Sequence, residues 1–135
     1  MAGITEIDIL LKNMNPVLCE KDYVFCVLEG KIDSKILELN PVGVFQEEEG
    51  VTVILEKGKA QKNNLPFEGV LKKITLQVHS SLEAVGLTAA FSTALGDHNI
   101  SANVVAGYYH DHIFVPEVDA INAHQVLLDL TKASA

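Results

Sequence analysis

The chain has 135 residues, of which 48% are hydrophobic, so one compact body or two very small ones with a real core is expected rather than disorder. Its formal net charge is −8, from 18 acidic and 10 basic residues with no Lys/Arg cluster, so a phosphate backbone or an anionic membrane surface would be repelled. No apolar run approaches the ~20 residues that span a bilayer, and neither nucleic acid nor membrane is an expected partner.

The opening segment, MAGITEIDILLKN, carries acidic residues before any basic region and does not read as a secretory signal. Two cysteines, Cys19 and Cys26, make no disulfide framework. The cytoplasm is the expected compartment.

In chain order, residues 5–13 predict a short helix. Ile7, Leu10, Leu11 and Met14 form an i, i+3, i+4, i+7 stripe, Thr5 can cap it, and Asn15-Pro16 stops it. Asp22 to Glu29 is dense in β-formers and predicts a strand buried on both faces. Gly30 to Pro41 fits either a degenerate helix or a packed loop. Val42 to Gln46 predicts a strand, Glu47 to Gly50 a turn, and Val51 to Glu56 its return partner. Lys57 to Asn63 is helix-compatible, and Asn64 to Gly69 is a connector.

From residue 74 the alternation of Ile74, Leu76 and Val78 predicts a half-buried strand. Helical spacing follows in Ala84, Leu87, Phe91 and Leu95. Period two returns with Ile100, Ala102, Val104 and Ala106. A turn at Tyr109-His110-Asp111 leads into a strand over residues 112–115. Residues 117–131 predict a closing helix with Ala120, Ala123, Leu127 and Leu130 on its core face, behind Pro116. Strand, helix and hairpin make up most of a βαββαβ unit, the ferredoxin-like module of the α+β class. VGVFQEEEGVTVILE and NVVAGYYHDHIFVPE are both hairpins followed by a helical segment. They predict two such units in tandem, the first degenerate, at residues 1–68 and 69–135. The alternative is one α+β sheet with unrelated hairpins.

The stretch Ser80-Ser81-Leu82-Glu83-Ala84-Val85-Gly86 joins a strand end to a helix start. Unpaired N–H groups and the helix dipole make such a place receptive to carboxylate or phosphate. Ser80-x-x-Glu83 is also a capping box, and spacing alone favours that reading. If the helix starts near Val85, residues 80–84 form a loop free to line a pocket. His110 and His112 share a face of an extended strand around Asp111, and His79, His98 or His124 could supply a third metal ligand. No spacing here identifies a zinc site, and a polar hairpin tip accounts for the same residues. Asp111 could instead hold a ligand's ammonium group. Cys26 reads as core and Cys19 as a loop thiol without a base. Glu47-Glu48-Glu49 reads as a solvated turn. No nucleophile elbow, phosphate-cradling loop or acid–base pair is identifiable, so no enzyme activity and no cofactor is expected.

ITLQVHSSLEAVGLTAAFSTAL, the text Asn99 to Asn103, the Tyr23-Val24-Phe25-Cys26 strand and the Glu48-to-Leu55 turn and strand resemble small bacterial proteins with two ACT-like units in tandem. Amino-acid-sensing ACT regulatory domains, such as those of aspartokinases, are similar over the helix, strand and hairpin. The resemblance covers nearly the whole chain. It implies a ligand-sensing module, with an amino acid held where the first strand meets the first helix. Carried onto this chain, that site is Ser80, Ser81, Leu82, Glu83, Ala84, Val85, Gly86 and Leu87, with Ala102, Asn103 and Val104 on the adjacent strand and Asp111 beside them. The widespread Asp-x-Pro-Gly of the loop is replaced by Ser81 to Gly86, without the proline. The resemblance further implies a homo-oligomer, a dimer or higher, formed by paired units.

Overall fold

The computed structural model describes residues 6–77 and 86–133. They form two compact units, one of residues 1–20 with 72–135 and the other of residues 21–71. The sequence division at 68/69 follows the repeat of hairpin and helix; the compact units follow contacts, and residues 1–20 group with the C-terminal part of the chain.

The first unit opens with helix α1, Glu6–Asn13. Strand β1, Pro16–Leu28, follows and is thirteen residues long; it gives its first five to this unit. Next come β4, Leu71–Leu76; α4, Leu87–Asp97; β5, Asn103–Ala106; and β6, Asp111–Pro116. A single 3-10 turn, Glu117–Asp119, leads into α5, Ala120–Ala133. The strands lie in the order β1, β4, β6, β5. From β4 onward the chain reads β-α-β-β-α, and the strand that completes βαββαβ is the start of β1, reached from the N-terminal side. The Gln77 N–H donates to the Asn15 carbonyl at 2.9 Å, just beyond that pair of strands.

Periodicity explains the core of this unit. Ile74 and Leu76 are fully buried on one face of β4, as are Ile113 and Val115 on β6. Leu87, Phe91 and Leu95 recur every fourth residue along α4 and are buried, as are Ala120, Ala123, Val126 and Leu127 on α5. Leu11 and Met14 join the same cluster from α1 and the residue that follows it. Each such Leu, Ile or Phe contributes ~1.5–3 kcal/mol by leaving water.

The second unit holds the rest of β1, α2 (Ser34–Glu38), β2 (Gly43–Gln46), β3 (Val51–Glu56) and α3 (Lys57–Lys62), with strand order β2, β3, β1. Tyr23 to Leu28 pair antiparallel with Glu56 to Val51, and Gly43 to Gln46 with Ile54 to Val51. Val24, Cys26, Val51, Val53 and Leu55 pack with Ile36 and Ala60. The Asp33 carboxylate caps α2 by accepting from the Ile36 N–H at 3.0 Å.

Several expectations are corrected. The strand expected from Asp22 begins at Pro16, and burial on both faces holds only over part of it: Val24 and Cys26 face the core and Tyr23 is buried on the other face, whereas Val27 is 62% exposed. The strand expected from Ile74 starts at Leu71. Ile100 belongs to no strand. Asn99 takes a left-handed conformation, φ 58°, and the Asn99 and Ile100 N–H groups donate to the carbonyls of Gly96 and Leu95 at 2.9 and 3.0 Å. This Schellman arrangement closes α4, and the buried Ile100 is its accompanying apolar contact.

Candidate functional site

Of the residues proposed to hold a ligand, Ser80, Ser81, Leu82, Glu83, Ala84 and Val85 lie outside the described residues, as does His79. The described part of the site starts at Gly86, the N-cap of α4, with φ 94° and no side-chain cap. The third position of this helix is Ala89, so the Ser80-x-x-Glu83 spacing does not fall on its start. Leu87 is 2% exposed and anchors the helix in the core, while Thr88 and Ala89 are exposed. The first-turn N–H groups have no intrahelical acceptor by construction. A side chain at Gly86 would meet Ile7 of α1 at 3.8 Å, so α1 walls one side of this helix end.

The hairpin residues divide between two faces. Asn103 pairs with Phe114, Val104 with Ile113, Val105 with His112 and Ala106 with Asp111. Paired residues share a face and neighbours alternate. Ala102 and Val104 pack against the core, which puts Asp111 on the helix side with them. Asn103 is on the opposite face with His112. Its side-chain amide donates to the Phe114 carbonyl at 3.2 Å. The residues expected to act together therefore come from both sides of the sheet, a split that alternation could have shown.

Asp111 is half-buried, and burial raises its carboxyl pKa while the neighbouring His112 opposes the shift. Burial lowers the His112 pKa first, then the positive fields of Lys73 and His110, with Asp111 acting in the other direction. His112 Nδ1 is 3.0 Å from Thr75 Oγ1. His98 Nδ1 is 2.9 Å from the Ala94 carbonyl, and His124 Nε2 is 2.9 Å from the Pro16 carbonyl. His98, His112 and His124 thus serve separate local partners. Among the described residues, His110 Nδ1 is buried without a hydrogen-bond partner, and no group of His, Cys, Asp and Glu could hold a metal ion. Burial raises the Cys26 pKa, which keeps it a thiol in the core. Glu47, Glu48 and Glu49 are exposed in the β2–β3 turn, where Glu47 accepts from the Thr52 hydroxyl.

Two grooves were not legible in the sequence. One, of about 670 Å³, runs along Pro16 to Glu20 beside Lys72, Glu117 and Ile121 in the first unit. The other, of about 340 Å³, lies between the end of β1 and α2 in the second. No helix among the described residues is long and apolar enough to cross a membrane.

Two family models described as ACT domain match this chain, over residues 2–72 and 71–129. A Vibrio cholerae protein of unknown function, titled a possible transport protein, has a crystal structure similar to this one: TM-score 0.85, 50% identity, covering 93% of this chain and 95% of that one. The ligand-free regulatory subunit of aspartate kinase from Thermus thermophilus shares the fold at TM-score 0.65 and 9% identity, over 87% of this chain and 96% of that one. Aspartate kinase from Clostridium acetobutylicum does so at TM-score 0.63 and 12% identity, over 89% of this chain and 34% of that one. No curated protein matches significantly. With an ACT domain matched in each half of its length, the chain belongs to the ACT-domain family as a tandem ACT protein of ferredoxin-like α+β fold.

Proposed function

We propose that this protein is a cytoplasmic, non-enzymatic ACT regulator that binds a small amino acid and works as a homo-oligomer without a cofactor. The observation that carries this reading is the start of α4. In an ACT unit with a complete core, the helix opens on a left-handed glycine that contributes no side-chain cap. The ligand carboxylate accepts from backbone N–H groups near Gly86 and Leu87, lined by Ser80 to Val85. Its ammonium group meets the carbonyls of Asn103 or Val104, with Ala102 and Asp111 at the hairpin. Two aspartate kinase regulatory neighbours of the same fold are in keeping with a regulatory role. Ligand binding shifts the population toward the assembly, or the partner complex, that holds it better.

A thermal-shift screen of the twenty amino acids tests this. A ligand present at ~100 times its Kd adds about 2.7 kcal/mol of stability. One amino acid, or a chemically related few, is expected to raise the midpoint. Gly86→Ala is expected to abolish that rise, measured against the variant's own ligand-free baseline. A flat response to the full panel defeats the sensor reading and leaves a protein-binding scaffold.

A further inference from the structure

From the exposed Tyr108–Tyr109 tip of the β5–β6 hairpin and the apolar groove along Pro16 to Glu20, we infer that one copy of this chain seats its tip in the groove of the next, a head-to-tail contact between first units. This docking rests on the homo-oligomer proposed above and is independent of the amino-acid site.

The tip is built against its own local preferences. Ala106 pairs with Asp111, and the Gly107 N–H donates to the His110 carbonyl at 2.9 Å, so Tyr108 and Tyr109 are the two residues of the loop. Two-residue hairpin loops favour positive φ and residues such as Gly, Asn and Asp. The described residues of positive φ lie elsewhere, and both loop positions carry tyrosine. The two rings stand edge to face, centroids 5.2 Å apart, and the residues are 76% and 66% exposed. Neither hydroxyl has a hydrogen-bond partner among the described residues. The turn gains nothing from this pair, whereas rigid rings with a polar end are common anchors of protein contacts. A local rule broken without a return to the fold marks a residue kept for function.

The groove supplies what the tip lacks. It measures about 670 Å³, within the ~300–1,000 Å³ that encloses a drug-sized molecule, so two phenol rings fit. Val17 and Leu18 of β1 and Ala120 and Ile121 of α5 give it apolar walls, and Ile121 is 83% exposed. Glu20 and Glu117 are exposed along it and form no ion pair among the described residues. In the docked pair their carboxylates accept charge-assisted hydrogen bonds from the phenol O–H groups. Side chains suit this groove better than an added strand does. The Pro16 carbonyl already meets His124 Nε2 at 2.9 Å, and the Glu20 carbonyl accepts from the Lys72 ammonium. Nor can a chain fill its own groove. In the first unit β1 lies at one edge of the strand order and the hairpin at the other, roughly 10–14 Å away at the usual strand spacing. The tip of a second copy is thus the occupant whose rings and hydroxyls match. Because tip and groove are different surfaces, the contact is heterologous, and its repetition gives a ring or an open chain.

Sedimentation velocity of the full-length chain over a concentration series reads the contact. The parent is expected to self-associate reversibly. Tyr108→Ser with Tyr109→Ser in one variant, and Ile121→Lys in another, are each expected to weaken association about tenfold or more, as loss of an anchor residue does. All three residues are exposed, so the thermal midpoints of both variants should match the parent's. The deciding measurement mixes the two variants. The intact tip of the Ile121→Lys chain still fits the intact groove of the other, so the mixture is expected to form a one-to-one dimer that neither variant forms alone. A mixture that gains no complex, or either variant associating like the parent, would overturn the docking and leave the homo-oligomer standing on some other surface. A parent that stays monomeric throughout the series defeats both, and the amino-acid screen is decided by neither result.

Discussion

At the scale of single residues, Gly86 and His112 carry the most consequence. Gly86 has φ 94°, a conformation that costs a residue with a Cβ roughly 1–2 kcal/mol. Gly86→Ala is therefore expected to lower stability by about that amount in urea denaturation, apart from any effect on ligand. His112 and Asp111 set a pH dependence of opposite signs. The folded-state pKa of His112 is depressed, so the unfolded chain takes up the proton first. Stability is then lost as pH falls through the unfolded value of about 6.5 toward the folded one. His112→Gln is expected to flatten the denaturation midpoint across that window. The folded-state pKa of Asp111 is raised, so its ionised form costs stability at neutral pH. That cost is relieved as pH falls through the folded value toward the unfolded one. Asp111→Asn should thus raise the midpoint at neutral pH while leaving it little changed in strong acid, which thermal melts at the two pH values would register.

At the scale of elements, asparagine ends helices in both units. Asn40, Asn64 and Asn99 all have positive φ, of 51°, 56° and 58°, each directly after the cap residue that ends α2, α3 or α4. Each occupies the left-handed closing position that glycine usually fills. Asn99→Ala is expected to cost about 1 kcal/mol, whereas Asn99→Gly should be neutral or better, as read by chemical denaturation. The same turns explain what the sequence left unread. Ile100 continues the alternation of the next strand in the letters alone, but its N–H is taken by Leu95 and its side chain closes a helix. Pro16 to Lys21 mixes proline, cysteine and charges, so local propensity did not announce a strand there; pairing to β4 makes one. Val51 to Glu56 was legible because each apolar residue on its core face is buried and the Glu47–Gly50 turn sets its start. The candidate ligand loop stood out in the sequence as a helix start, and only the family resemblance favoured a ligand there over a cap. Carboxylate recognition by backbone N–H groups leaves no side-chain signature, and the capping-box spacing pointed elsewhere.

At the scale of the whole molecule, the second unit is one continuous segment, 21–71, set inside the sequence of the first. A fragment of residues 69–135 would keep β4 to α5 but lose Leu11, Met14 and the strand beside β4. Circular dichroism and exchange measurements are expected to find that fragment unfolded or molten. Restoring residues 1–20 ahead of it through a flexible linker should recover a cooperative transition, because the first unit's own parts are then all present. The same nesting bears on how the chain is made. Met14 lies in one cluster with Leu127, and its carbonyl accepts from the Thr131 hydroxyl at 3.4 Å. A ribosome adding about 5–20 residues per second reaches those partners on the order of ten seconds after Met14. The apolar stripe of the first helix lacks its α5 neighbours for all of that interval, and has none of its β4 or α4 neighbours until the nested segment has emerged whole. Chaperone dependence during synthesis should therefore track the first twenty residues rather than the segment that follows them.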